Sequence, residues 1–499
     1  MKKNILYAAA GLLVLSGCDL DINENPNYPK GGEVTTDLVL PSAENYIADA
    51  LGDQMFTYAG FFAQYFDQRP ESNQYNNYAE LHIDESTGVL ARTYRGLFAG
   101  AFQDLADIVT RDKNTANAFA CAVLRAWGYQ LWVDNVSDAP YTEALKGGTI
   151  PAPKWDDGKT IMEGILAEME QTEAAIGNEG ITLKDPLLGG NLSQWKGFAN
   201  ALRLRIYLRM IDGNIDAASY TAKVKALVAA GNFFTGDVKF DVYTNAEGQY
   251  NPWYGAVFRL KTNNYVAAYP IVEYYKANND PRISYAILPT TKDNSKYVGQ
   301  LPGSKTRMKE WNGDKAWKNE DVSEIKTDVL IAEPIFIFTQ SELQFLLAEV
   351  QLRFNNDEAA AKTAYEAAVT ADFTSRGMAA RASAFLSTPK VDFSAQKSAA
   401  DKLKLIYMQK WVAFFMRNHM EAWSEIRRTD VPATSDKTAE EIFNASSDYK
   451  AGDMIVPAVN YIQGGGLAKR LPYPDNARRL NKNTPSEKKM SDAVFWDAK

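Results

Sequence analysis

Apolar residues recur every three to four positions along most of this chain, the spacing that turns one face of an α-helix toward a core. Thr160–Ile176 is the clearest case. Ile161, Ile165, Leu166 and Met169 share a face, Glu163, Glu168 and Glu170 lie elsewhere, and Gly177-Asn178 stops the helix. The same pattern predicts helices over Glu44–Gln68, Thr87–Arg111, Ala116–Val133, Leu192–Ile211 with Ser193 as its N-cap, and Ser219–Ala230. Further on it predicts Ser341–Phe354, Asp357–Ala371 and Ala399–Ile426, the last broken near Asn418. Asp357–Ala371 carries Ala359, Ala360, Ala361, Ala364, Ala367 and Ala368, so a neighbouring helix can approach closely. Helix–turn–helix units of this kind suit tetratricopeptide-type stacking, although no strict sequence repeat is present. Helical periodicity fades over Phe233–Ile331 and again over Ala451–Lys499, where Asn, Gly, Pro, Tyr and Lys dominate. Those segments predict short strands and long loops, and long loops in a packed domain are usually functional.

The amino end follows a different logic. Lys2 and Lys3 precede an uncharged, mostly apolar run from Ile5 to Leu15, then Ser16, Gly17 and Cys18. A basic start, a short apolar run and a small-residue exit predict an export signal over residues 1–17, too short to span a bilayer. Leu15-Ser16-Gly17-Cys18 resembles a bacterial lipobox, in which the cysteine is acylated and begins the mature protein. Acyl chains at Cys18 would anchor the protein without a membrane-spanning helix. Asp19, Asp21 and Glu24, interleaved with Asn and Pro, predict a flexible tether over 18–36. Acidic residues just after the cysteine also resemble the surface-export signals of Bacteroidetes lipoproteins. The most apolar later stretch, Val329–Phe338, is interrupted by Glu333 and Pro334.

Composition removes several function classes. The 499 residues carry a net charge of −8, and losing Lys2 and Lys3 with the signal makes it −10. An acidic chain without a basic block is a poor partner for nucleic acid. The only histidines are His82 and His419, so a multi-histidine metal site cannot be assembled. Gly158-Lys159-Thr160 has Pro153 where a phosphate-binding loop needs its first glycine, and no Gly-x-Ser-x-Gly elbow occurs. No cofactor and no catalytic residue are expected. A surface-anchored glycosidase using an Asp/Glu pair stays open as the alternative, because the 62 acidic residues offer many pairs. With Cys18 acylated, Cys121 has no disulfide partner and reads as a buried small hydrophobe.

Several segments together resemble the SusD/RagB family of nutrient-binding outer-membrane lipoproteins. They are Asp19–Asn23 with Asn25-Pro26-Asn27, Trp195–Arg205, Asn279–Arg282, Tyr297-Val298-Gly299, Ser341–Glu349, Gln409-Lys410-Trp411, Glu421-Ala422-Trp423, Arg427-Arg428-Thr429 and Arg470–Pro474. Their order spans nearly the whole mature chain. One departure is Ala477, near a place where the family often has an acidic residue. The resemblance implies a mostly α fold, SusD-like, with about four tetratricopeptide-like helix pairs and an irregular, loop-rich half with short strands. One domain is expected over 37–499, helical over about 38–232 and 333–430, irregular and ligand-facing over about 233–332 and 431–499. It further implies a non-enzymatic lipoprotein on the outer membrane, facing the exterior. Its implied partners are a SusC-like TonB-dependent transporter and an oligosaccharide or polysaccharide, with a peptide ligand or a purely protein-binding scaffold as alternatives.

Sugar binding gives the aromatic content a reading. The C–H face of a pyranose packs on a Trp or Tyr ring while its hydroxyls pair with Asn, Asp, Gln or Arg. Phe, Tyr and Trp make up 12% of the chain. Trp127, Trp132, Trp195, Trp411 and Trp423 lie in helix-patterned apolar sequence and are expected in the core. Tyr75, Tyr78, Trp253, Tyr254, Trp311 and Trp317 lie instead in polar, Asn-rich segments, and these are the expected ligand-binding rings.

Overall fold

The computed structural model describes residues 34–260 and 264–497; the export signal, Cys18 and all but the end of the tether lie outside the described residues. The chain runs through α1 (Thr36–Ala50), a π-helical turn (Leu51–Met55), α2 (Phe56–Phe62) and β1 (Phe66–Gln68). A loop then leads to Ala91–Arg95 and a second π-helical turn (Gly96–Ala101), which continues into α3 (Phe102–Arg111). α4 (Thr115–Val136), α5 (Gly158–Ala174), α6 (Leu192–Asp212) and α7 (Ala217–Ala230) follow. The irregular region holds β2 (Val238–Phe240), α8 (Pro252–Leu260), β3 (Tyr265–Ala267) and α9 (Tyr269–Ala277). After β4 (Ile335–Phe338) come α10 (Gln340–Arg353), α11 (Glu358–Ser375), α12 (Ala379–Leu386), α13 (Ala399–Phe414) and α14 (His419–Thr429). The fold is mostly helical, with two small antiparallel sheets, β1–β3 and β2–β4.

Short polar side chains set many helix starts, because they satisfy N–H groups that the first turn leaves without partners. Asn114 opens α4 by accepting from the N–H groups of Ala116 (2.8 Å) and Asn117 (3.1 Å). Asn191, not Ser193, caps α6, accepting from Ser193 (3.0 Å) and Gln194 (3.2 Å). Ser398 and Asp401 form a capping box at α13, and Asn418 starts α14 where the sequence predicts a break.

Glu44–Gln68 is not one helix. It begins earlier, at Thr36, inside the range read as tether, and its end is strand, because Phe66–Gln68 pairs with Tyr265–Ala267. Such distant pairing leaves no local trace. Thr87–Arg111 likewise starts late, at Ala91, after a turn in which Gly88 has φ +64°. The irregular region also contains two nine-residue helices, α8 and α9, that periodicity did not predict.

Trp127, Trp132, Trp195, Trp411 and Trp423 are buried as expected. So is Cys121, where burial pushes the thiol up to about 12. What distinguishes this interior is its charge. Arg205 of α6 binds Glu342 of α10 (2.5 and 2.9 Å) and Gln130 of α4 (3.1 Å), and lies 3.4 Å from Glu421 of α14. One turn on, Arg209 binds Glu421 (2.7 and 2.8 Å) and Asp134 of α4 (3.2 Å). Arg428 of α14 reaches Glu349 of α10 (2.7 and 2.8 Å), Glu425 (2.7 and 2.8 Å) and Asp212 of α6 (2.5 Å). Lys410 of α13 closes the set on Glu425. Burial opposes ionisation of Glu349, yet Arg428 and Lys410 beside it hold the carboxyl down to about 2. α4, α6, α10, α13 and α14 are thus cross-linked through charges that water does not reach.

A second buried cluster ties in the irregular region. Arg282 chelates Asp280 (2.6–3.1 Å) and extends to Asp372 of α11 (2.9 Å) and Gln409 of α13 (2.7 Å). Arg376 shares Asp372 (2.9 Å) and donates to the carbonyls of Ala413 (2.8 Å) and Phe415 (3.0 Å).

Breaking a buried charge set leaves uncompensated charge behind. Arg428→Met is therefore expected to lower stability by about 3–5 kcal/mol, whereas Arg111→Ala, which removes an exposed pair with Asp107, should cost under ~1 kcal/mol. Urea unfolding checks both. His419 adds a pH dependence. Its Nε2 accepts the Met416 N–H (3.0 Å), so Nδ1 carries the proton and donates to the Phe56 carbonyl (2.8 Å). Burial lowers its pKa from 6.5 to about 3. The unfolded chain then binds the extra proton first, so this stability is present above pH 6.5 and drains away as pH falls toward 3. Between neutral pH and about pH 4 the loss should be on the order of 3 kcal/mol, and His419→Gln should flatten that part of the stability–pH curve.

Candidate functional site

Strand β3 is the spine of the loop-rich face. One edge pairs with β1, Phe66 opposite Ala267 and Gln68 opposite Tyr265. Two other segments bond to the same strand: the Ala267 N–H donates to Ser323 O (2.8 Å), and its carbonyl accepts the Gln300 N–H (2.9 Å). Gln300 also donates from its side chain to Gln68 O (2.6 Å) and to buried Asp67 (3.1 Å). Gly299 is required here, since a Cβ would lie 2.5 Å from Tyr269 Cα. Two stretches far apart in sequence, 66–78 and 298–324, therefore converge on β3.

Side chains pin these loops to each other. Glu71 and Asn319 exchange hydrogen bonds (3.2 and 3.1 Å), and the Lys305 ammonium donates to Ser72 O and Asn73. Arg69 pairs with Glu324. The C-terminal segment laces the same edge: Ala458 N–H donates to Pro302 O (2.9 Å) and Tyr461 N–H to Glu80 O (2.9 Å). Gly303, at φ +62°, admits that segment, because a Cβ there would meet Pro457, Val459 O and Ala79 O at 2.9–3.1 Å.

The expected rings divide into three groups. Tyr75 and Tyr78 are half-buried and stack on each other, centroids 5.8 Å apart and 14° from parallel, and Tyr75 stacks in turn on Tyr265 (4.7 Å). The Tyr75 hydroxyl accepts from Tyr265 (2.9 Å) and Gln74 (3.1 Å), which leaves its own proton to donate outward. Burial, with Tyr75 and then the Asp53 carboxylate nearby, lifts the Tyr78 phenol to about 12, so it too remains a donor. Trp311 and Trp317 are half-buried on a small apolar cluster of Leu301, Met308, Ala439, Ile442 and Ile455, with Trp311 5.7 Å from Phe443. Their loop is the one joined to Ser72 and Asn73, so both pairs of rings stand on adjoining loops.

Trp253 does not belong with them. It is 1% exposed, wedged among Phe56 (5.4 Å), Phe66 (5.8 Å) and Tyr265 (5.2 Å), and has no face open to a ligand. Its Asn-rich flank is a helix start rather than a surface loop: Asn251 accepts from the Trp253 N–H (3.0 Å). Tyr254 is half-buried beside Tyr250 (5.5 Å).

Two exposed tyrosines escaped the sequence reading. Tyr461, 56% exposed, stacks on His82 at 4.0 Å and 9° beside the Tyr75–Tyr78 loop, and Tyr46 is 43% exposed on α1. Gly464-Gly465-Gly466 beside Tyr461 was the only local hint, and Tyr46 had none because its helix is otherwise ordinary.

With this geometry in hand, the comparisons with known proteins have a physical counterpart. Residues 27–448 match the family SusD-like_2, described as "Starch-binding associating with outer membrane", and the chain belongs to that family. No curated protein matches it. Among solved structures, a chitin-binding protein superposes with TM-score 0.67 at 19% identity, covering 94% of this chain and 99% of its own. A SusD homolog from Bacteroides fragilis gives 0.70 at 20% identity, with 93% and 99% covered. A SusD homolog from Bacteroides uniformis gives 0.68 at 18%, with 92% and 99% covered. These likenesses establish the fold. The family is an outer-membrane-associated, nutrient-binding one.

The division of rings has a direct test. Trp253→Ala should cost about 3–5 kcal/mol of stability, while Tyr461→Ala should leave it within about 0.5 kcal/mol, both read from denaturant midpoints.

Proposed function

We propose that this protein captures a glycan at the outer surface of the outer membrane and passes it to a TonB-dependent barrel. The observation that carries the reading is the convergence of loops on β3, which brings Tyr75 and Tyr78 next to the loop of Trp311 and Trp317. Half-buried rings are held in place by their inner faces and offer an edge or outer face to the C–H surface of a sugar. Asn73, Gln74 and Asn312, exposed around them, supply donors and acceptors for its hydroxyls. The family description supports a starch-like polymer, and the chitin-binding structural neighbour supports an amino-sugar polymer.

No helix among the described residues is long and apolar enough to cross a membrane, so in this reading acylated Cys18 supplies the anchor. Within one domain over 37–499, the helical parts face the barrel and the loop-rich parts meet the ligand. The protein binds without cleaving.

Native gels containing soluble starch or glycol chitin test this. The mature chain should be retarded in at least one, with no reducing ends released. Tyr75→Ala/Tyr78→Ala and Trp311→Ala/Trp317→Ala should each abolish most of the retardation. Full retention in both double variants would remove these rings from the site, and released product would make the protein an enzyme.

A further inference from the structure

A cleft of about 440 Å³ lies between α1 and the segment Arg92–Gly100, within the range of small-ligand pockets. Its floor is a ring on bare backbone. Tyr46 lies against Gly96 and Gly100, where a Cβ at Gly100 would come within 2.8 Å of the ring, so one aromatic face is seated and 43% of the residue stays open. Around it stand Asp49, Asp53, Gln54, Arg92 and Arg95. Asp53 pairs with Arg92 at 2.5 Å. Arg95 is exposed and makes no ion pair among the described residues, and Asp49 accepts no hydrogen bond there.

Both walls of this cleft are irregular in the same uncommon way. Asp53 and Gln54 belong to the π-helical turn Leu51–Met55, and Gly96 and Gly100 to the π-helical turn Gly96–Ala101. Such turns cost backbone regularity and concentrate at functional sites.

The lining decides the ligand class. Two carboxylates and two guanidinium groups leave it without net charge, which suits neither an anion nor a cation. A seated aromatic face surrounded by planar, two-pronged polar groups suits a neutral polyol, since carboxylate and guanidinium each span two adjacent hydroxyls. We propose that the cleft is a second carbohydrate subsite, in which Tyr46 carries the face of one sugar ring and Asp49, Asp53 and Arg95 hold its hydroxyls. This rests on the glycan reading above and extends it.

Crystals of the mature chain soaked separately in glucose, N-acetylglucosamine, galactose and mannose test the subsite, alongside the same soaks of Tyr46→Ala and of Asp49→Asn, which keeps the cleft's shape. Expected is a pyranose on the open face of Tyr46 in at least one soak, within hydrogen-bond distance of Asp49 or Arg95, and its loss in either variant. A sugar on the Tyr75–Tyr78 face alone overturns the cleft and leaves the glycan reading intact. A sugar in the cleft alone supports the cleft and counts against the loop rings. A wild-type cleft empty in all four soaks overturns the inference.

Discussion

Arg205, Arg209 and Arg428 place three guanidinium groups inside the helical body, each stable there because carboxylates from other helices meet it. Burying a charge is costly, and opposite charges held close by offset that cost. The set therefore fixes more than a contact. Glu342 and Glu349 must sit two turns apart on one face of α10, with Glu421 and Glu425 one turn apart on α14. α6 must present Arg205 and Arg209 between them. An apolar core tolerates small slips of one helix along another; this one does not, because a slip strands a charge. Helix register and crossing are thereby set together.

That rigidity gives the loops something to hang from. Arg282, deep in the irregular region, is bound to α11 and α13 through Asp372 and Gln409, which fixes the end of α9. β3 precedes α9, and the stretches 66–78 and 298–324 take their register from β3. The rings of the proposed ligand face are thus positioned by backbone pairing and by Glu71, Asn319 and Lys305. Preorganised contact matters for weak glycan binding, where little energy is left over for ordering loops.

How legible this was in the sequence depends on the range of the interaction. The long amphipathic helices were readable from three- and four-residue spacing, and α13 and α14 were separated correctly at Asn418. Strand β1 was not, because its partner lies some two hundred residues away. The motifs that carried the family resemblance have a telling place in the structure. Arg205, Asp280, Arg282, Glu342, Glu349, Lys410, Glu421 and Arg428 all belong to the two buried charge clusters. The residues that carried the resemblance therefore belong largely to the scaffold, and they did not indicate which rings face a ligand. Ring exposure was poorly legible for the same reason. Trp253 sits in polar sequence yet points inward, because Asn251 caps a helix rather than lining a loop. Tyr46 sits in helical sequence yet seats one face on the bare backbone of Gly96 and Gly100 and leaves 43% of itself exposed.

Amide hydrogen exchange with and without maltoheptaose or chitohexaose tests the central claim most directly, that a charge-locked body presents preformed ring surfaces to a glycan. With at least one of the two sugars, slowed exchange is expected in 69–82 and 298–320, while α6, α10 and α14 exchange as slowly as before. Unchanged exchange everywhere with both sugars, or protection gained chiefly within those helices, would contradict it.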